Sequence, residues 1–214
     1  MSSRVVVVGA GGFGRETLDV IASINRDGTN PKFQVVGVLD DAPSDINLKR
    51  LNSLGITYLG SIDGWLETGD DALFVVGIGS PGARAAIAHR FELCGLKAAT
   101  LVHPSVHLGS GVQLGEGAII CGGVNVSTNV RIGNHTQINP NATIGHDAVL
   151  HDYVSLNPAA TISGDVTVGA AALIGAGAVI LQGLEVGDES VVGASACVVR
   201  AVPAGATVKG VPAK

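Results

Sequence analysis

The residues best suited to acid–base chemistry are a histidine and an aspartate side by side. His146 and Asp147 follow Ile144 and Gly145, and His151 and Asp152 repeat the pairing just after Leu150. An imidazole titrates near neutral pH, and an adjacent carboxylate can orient it and strengthen it as a proton acceptor. The first pair therefore fits a general base that needs no metal. The competing reading is an exposed turn histidine without chemistry, which is also the simpler account of His151 and of His135. Asn139, in the turn before, is placed to contact a substrate.

A second candidate lies near the start. The apolar run Val5 to Val8 leads into Gly9, Ala10, Gly11, Gly12, Phe13 and Gly14, and a helix-compatible segment follows from Arg15 to about Asn25. A G-x-G-x-x-G between strand and helix lets backbone N–H groups and the helix N-terminus hold a phosphate. The next apolar strand, Gln34 to Leu39, ends at Asp40 and Asp41, either of which could accept hydrogen bonds from a base or ribose. Ser80 and Arg84, in the turn after a strand from Ala72 to Ile78, would close the same crevice; Arg84 reads equally well as a solvated helix charge. A dinucleotide needs two mononucleotide halves, and residues 1–101 supply little more than one. A nucleotide-linked sugar is the favoured ligand, with a purely structural glycine turn still open.

The elements that must position these groups fall into two blocks. Before residue 102, apolar β segments alternate with helical ones, with a short strand near Ile56 to Leu59, Trp65 on a short helix, a helix from Ala83 to Cys94 and a last strand from Ala98 to Val102. That alternation predicts a small parallel sheet of Rossmann type. From Val102 to Val198 every sixth residue is Val, Leu or Ile, and a second register four residues on carries small or branched residues such as Ala118, Val124 and Ala142. A period of six fits neither a helix nor a meander, so the block reads as a parallel β-helix of short strands and tight turns. Three hexads make one coil, and residues eighteen apart stack on one edge. The register puts His146 in a turn, one coil below Gly164. The predicted division is therefore 1–101, α/β and Rossmann-like, and 102–214, all-β.

Composition narrows the field. A net charge of -5 and a pI near 5.6 give no basic footprint for nucleic acid. Cys94, Cys121 and Cys197 are odd in number and lack C-x-x-C spacing, so they read as free packing thiols. Val166 to Leu184 is uncharged and long enough for a membrane span, yet the hexad register runs through it with Gly169, Gly175, Gly177, Gln182 and Gly183 at turn phases. It reads as solenoid core. The apolar run before the first glycines is too short for a signal peptide, and the expected location is cytoplasmic.

The segments GHDAVLHDYVSLNPAATISGDVTVG and VKGVPAK, together with GAGGFGRE, VLDD and GIGSPGAR, resemble the NeuD and PglD group of left-handed β-helix acyltransferases across nearly the whole chain. The resemblance implies a homotrimer, acetyl-CoA along a groove between adjacent solenoids, and a nucleotide-linked sugar on the N-terminal domain. Members acetylate 4-amino sugars on UDP, dTDP or GDP, or hydroxyls of sialic acid. Carried over by position, His146 matches the base, Asp147 its acidic partner and Asn139 a substrate-side residue. Gly164 falls where a backbone amide lies beside the thioester, and Ser155, Gly175, Gly193 and Lys209 fall on the acetyl-CoA side. The chain departs from the group at Ser155 and at Phe13, where many members have histidine. The implied reaction is direct transfer, since no Ser or Cys carries a nucleophile motif. The rival classes are a sugar O-acetyltransferase, a non-enzymatic nucleotide-sugar-binding trimer, and a zinc lyase of β-helical carbonic anhydrase type. That lyase would use His146 and His151, but its third ligand position is Ser110, which leaves the tetrahedral count short. The unbroken hexads leave no long loop to cover a site, so the N-terminal domain and a neighbouring chain are expected to complete it.

Overall fold

The computed structural model describes residues 2–29 and 31–214. The chain divides into two compact units, Met1–Leu101 and Val102–Lys214. The first contains β1 (Ser3–Val8), α1 (Gly12–Asp27), β2 (Phe33–Leu39), α2 (Asp45–Ser53), β3 (Tyr58–Gly60), α3 (Ile62–Leu66), β4 (Leu73–Val76) and α4 (Pro81–Leu93). Its sheet is parallel throughout, in the order β3-β2-β1-β4. Val5 to Val8 are wholly buried, as a run of β-branched residues covered on both faces must be. The chain leaves β1 toward β2 and later returns to β1's other side as β4. The strand order therefore switches between β1 and β4, where an open α/β sheet presents a crevice at the carboxyl ends of its strands.

Two of the boundaries that differ from the sequence reading have a structural cause. The helix after β1 starts at Gly12 rather than Arg15, with Gly11 as its N-cap, so Phe13 and Gly14 belong to its first turn. Between Ala98 and Val102 there is no single strand: Ala98 makes an isolated parallel bridge to Phe74, while Leu101–Val102 belongs to a sheet of the solenoid. Val102 already occupies the inward hexad phase, and that phase claims it.

The second unit is a left-handed parallel β-helix whose two-residue strands form three sheets. A first face stacks Gln113–Leu114, Arg131–Ile132, Val149–Leu150, Thr167–Val168 and Glu185–Val186. A second carries Ile119–Ile120, Gln137–Ile138, Ser155–Leu156 and Leu173–Ile174. A third carries His107–Leu108, Asn125–Val126, Thr143–Ile144, Thr161–Ile162, Val179–Ile180 and Cys197–Val198. The paired strands in these stacks are eighteen residues apart, a spacing that shortens to sixteen where Val191–Val192 pairs with Thr207–Val208. The sixth-residue aliphatics and the small register fill one continuous core, with Ile144, Ala148 and Leu150 each at most 1% exposed. Burying such an aliphatic side chain stabilises by about 1.5–3 kcal/mol. The uncharged run from residue 166 to residue 184 contributes Val166, Val168, Ala172, Ile174, Ala178 and Ile180 to this core. No helix among the described residues is long and apolar enough to cross a membrane.

Each corner contains one residue in the left-handed region, recurring every six positions: Gly111, Gly117 and Gly123, then Asn129, His135, Asn141, Asp147, Tyr153, Ala159, Asp165 and Ala171. For a residue with a Cβ this conformation costs about 1–2 kcal/mol. Ala159, at φ 58 and exposed, has no polar side chain to offset the cost. Ala159→Gly is expected to raise stability by about 0.5–1 kcal/mol, the strain relieved less the extra entropy of the unfolded chain. Equilibrium urea unfolding measures it.

Candidate active site

In the first unit the glycines separate into two kinds. Gly9 has φ +111, and a Cβ on Gly14 would lie 1.8 Å from the Gly9 carbonyl oxygen; one on Gly77 would lie 2.7 Å from the Gly14 Cα. These three bring α1, β1 and the end of β4 together, and the fold itself requires them bare. A Cβ on Gly11, Gly12, Gly79 or Gly82 would meet nothing within 4 Å. Those four line the start of α1 and of α4 without serving any packing. Neither helix has an acidic residue in its first turn, and the Ser80 side chain, at the N-cap of α4, makes no capping bond. The helices away from the switch point differ: α2 and α3 are capped by Ser44 and Ser61 and carry Asp45 and Asp63. Two uncapped N-termini at adjacent strand ends favour a bound anion.

The carboxylates nearby are already engaged. Asp40 accepts from the Ala10 N–H at 2.8 Å and the Ala42 N–H at 2.9 Å, tying the end of β2 to the glycine turn. Asp41 accepts from the Ile62 N–H at 2.8 Å and from Arg90 at 3.2 Å. Arg15 donates to the Ala10 carbonyl and to Asn47, at 2.9 and 2.8 Å, bracing the same turn from α1 to α2. Arg84 is not a solvated charge. It is 1% exposed and donates to the carbonyls of Ile78 and Gly79, at 2.9 and 3.3 Å. Its role is to hold the turn that exposes Gly79 and Ser80.

In the second unit His146 and Asp147 lie on the edge where the third face turns into the first. Ile144, buried below, anchors the turn, and Gly145 keeps it close to the coil above, since a Cβ there would fall 2.4 Å from the Gly164 nitrogen. The His146 Nδ1 is 2.7 Å from an Asp147 carboxylate oxygen. Both side chains are about half exposed, 47% and 45%. The imidazole, and after it the Asn129 amide, hold the Asp147 carboxyl below the usual carboxylate range. With Nδ1–H donated to that carboxylate, Nε2 carries the lone pair and faces the next coil. There it meets Gly164: a Cβ on Gly164 would lie 2.5 Å from Nε2. A groove of about 320 Å³ on the third face, lined by His107, Asn125 and Thr143, ends at Gly145 and His146.

Other residues singled out in the sequence lie elsewhere. Asn139 stands at the opposite end of the same strand, 8% exposed, its amide donating to Asn157 at 3.3 Å. Ser155 is on the second face and 2% exposed, away from the edge that carries His146. His135 is not an exposed turn residue: it is 1% exposed and stacks on Tyr153 with ring centroids 5.4 Å apart. Gly175 and Gly193 lie beneath the next coil, where a Cβ would meet the Ala194 nitrogen at 2.5 Å and the Lys209 Cβ at 3.0 Å. Lys209 is exposed and exchanges backbone hydrogen bonds with Lys214. His151 sits on the next edge, across the strand Val149–Leu150, and Ser110 bonds Thr128 at 2.9 Å, so the lyase-type ligand set is not gathered. Among the described residues His146, Asp147 and Asp165 do bring potential ligand atoms within 4.8 Å of one another, all three exposed. Asn129 and Asp165 were missed, though the eighteen-residue spacing from Asp147 points to both.

A Rossmann-type unit followed by a β-helix with an exposed histidine–aspartate pair on one edge defines a hexapeptide-repeat acyltransferase. Residues 4–91 match the PglD N-terminal domain and residues 129–164 the bacterial transferase hexapeptide, six repeats. With a match in each unit, the chain is similar to the NeuD/PglD-like acyltransferases. Among solved structures, a histidine variant of perosamine N-acetyltransferase from Caulobacter crescentus, in complex with CoA and GDP-perosamine, is 29% identical. It superposes with a TM-score of 0.85 over 99% of this chain and 96% of that one. WeeI from Acinetobacter baumannii is 26% identical, with a TM-score of 0.84 over 100% and 99% of the two chains. The acetyltransferase domain of PglB from Neisseria gonorrhoeae, 24% identical with a TM-score of 0.85 over 100% and 99%, shares the fold. No curated protein matches the chain.

Proposed function

We propose that the protein is an acetyl-CoA-dependent N-acetyltransferase acting on the amino group of a nucleotide-linked amino sugar, such as a 4-amino-4,6-dideoxy sugar, with His146 as general base. One observation carries this reading: an imidazole fixed by Asp147 through Nδ1 presents Nε2 at a bare glycine edge, at the end of an open groove. The similar enzyme complexed with CoA and GDP-perosamine is an N-acetyltransferase, which supports nitrogen rather than oxygen as the acceptor. The amine attacks the thioester carbonyl, Nε2 takes the proton lost by nitrogen, and Asp147 stabilises the imidazolium. The tetrahedral intermediate collapses to the amide and expels the CoA thiolate, which the imidazolium can protonate. Backbone around Gly164 is the proposed neighbour of the developing oxyanion. No covalent enzyme intermediate is needed. The open N-termini of α1 and α4 are the proposed diphosphate site, with Gly11, Gly12, Gly79 and Ser80 around it. A homotrimer working in the cytoplasm completes the proposal.

Thermal shift with UDP, dTDP, GDP and CMP sugars tests the nucleotide site, since a ligand present at 100 times its Kd stabilises by about 2.7 kcal/mol. Gly12→Ala, whose new methyl meets no protein atom, should change the unliganded stability by less than about 0.5 kcal/mol while reducing the ligand-induced shift. Gly14→Ala should instead destabilise the first unit by about 3 kcal/mol or more, because its Cβ collides with backbone. If no nucleotide sugar moves the transition of the wild type, the binding assignment fails.

A further inference from the structure

We infer that Asn129 is a positioning residue for the acyl transfer: its side-chain amide holds Asp147, and through Asp147 it orients the imidazole of His146. The inference rests on the reading of His146 as the base. Asn129 occupies the position of Asp147 one coil earlier, and both are in the left-handed conformation, at φ 58 and φ 60. The Asn129 Nδ2 donates to Asp147 Oδ1 at 3.2 Å, while the other carboxylate oxygen, Oδ2, faces the imidazole at 2.7 Å. Each oxygen of the carboxylate therefore has its own partner, and the plane of the group is set from two sides.

The direction of the Asn129 amide is itself fixed from below. Gly111, one coil earlier in the same column and at φ +73, lies directly under it: a Cβ there would be 2.7 Å from the Asn129 Oδ1. With Oδ1 seated over the bare glycine, the NH2 end is the one turned up toward Asp147. Glycine, asparagine and aspartate at eighteen-residue spacing thus form a column that ends at the base.

A simpler explanation for Asn129 exists, because asparagine tolerates the left-handed region better than most residues. Asn141 shows that arrangement on another edge, where its Oδ1 lies over Gly123 in the same way, but the residue above it is Ala159. On the edge of His146 the residue above is the partner of the base. The two explanations diverge on Asn129→Gly. Glycine adopts φ 58 more readily than asparagine does, so a purely conformational role would leave activity and stability intact or improved.

The test is steady-state acetyl transfer from acetyl-CoA to a GDP-linked 4-amino sugar by the full chain, with Asn129→Gly, Asp147→Asn and the double variant, and His146→Ala as a control. The expected result for Asn129→Gly is a kcat reduced about tenfold, with KM for both substrates unchanged and the thermal midpoint at least as high as wild type. In the Asp147→Asn background the same change should add little, because both act through one carboxylate. Wild-type kcat in Asn129→Gly, or a loss fully additive with Asp147→Asn, overturns the inference. So does a fall in kcat accompanied by a lowered thermal midpoint and raised KM values, which would mark a structural role. If His146→Ala itself retains wild-type turnover, the reading of the base fails first and separately.

Discussion

His146→Ala is expected to lower kcat for acetyl transfer by about 10² to 10⁴, the range over which a positioned general base contributes. KM for acetyl-CoA should stay within a few-fold, because the imidazole acts on the acceptor's proton and not on the CoA chain. The fold should survive: the side chain is 47% exposed in a turn, and exposed substitutions usually change stability by less than about 0.5 kcal/mol. Loss of turnover with an unchanged unfolding curve is the signature to look for. The pH dependence separates the two members of the pair. Asp147, lowered by the imidazole and by Asn129, stays ionised down through the ordinary carboxylate range. The carboxylate contribution is therefore present at neutral pH and lost only as pH falls through that depressed value. An acid limb of kcat at neutral pH therefore does not come from Asp147.

The second large effect is expected at Gly164, a residue that carries no functional group. A methyl there would lie 2.5 Å from Nε2 and 2.6 Å from Cε1 of His146, well inside contact distance. The backbone of Gly164 is not in the left-handed region, so alanine is conformationally acceptable and the strain falls on the imidazole, which is half exposed and able to swing away. A displacement of about 1 Å at a reacting group can cost about 10² in rate, and Gly164→Ala should show a kcat loss of that order. The thermal midpoint should hardly move. Gly145→Ala makes an instructive contrast: its Cβ would strike the backbone of the next coil at 2.4 Å, so the same substitution one coil lower should damage the solenoid itself.

Much of this was legible in the sequence, for particular reasons. The β-helix is written residue by residue because each hexad must repeat the same inward aliphatic, and Ile144 and Leu150 bracket the turn that exposes His146. The proximity of Gly164 followed from the eighteen-residue coil. The partnership of His146 with Asp147 was visible because the two are adjacent in the chain. What escaped the reading depends on contacts that periodicity does not encode. Arg84 read equally as a crevice residue and as a helix charge, and its bonds to the carbonyls of Ile78 and Gly79 at the exit of β4 go with a burial that the sequence did not show. Ser155 and His135 occupy outward phases, yet both are at most 2% exposed, because a phase fixes which way a side chain points and not what covers it. The four glycines of the first turn looked alike as letters; the packing of Gly9 and Gly14 against backbone, and the open space around Gly11 and Gly12, set them apart.

The decisive property is whether a base at His146 moves acetyl from the thioester to a sugar nitrogen. Purified protein incubated with acetyl-CoA and a nucleotide-linked 4-amino sugar should release one equivalent of CoA thiol for each equivalent of sugar amide found by mass spectrometry, with His146→Ala doing so at least about a hundredfold more slowly. Acetyl appearing as an ester on a hydroxyl, or amide formed at the same rate with and without the imidazole, would contradict it.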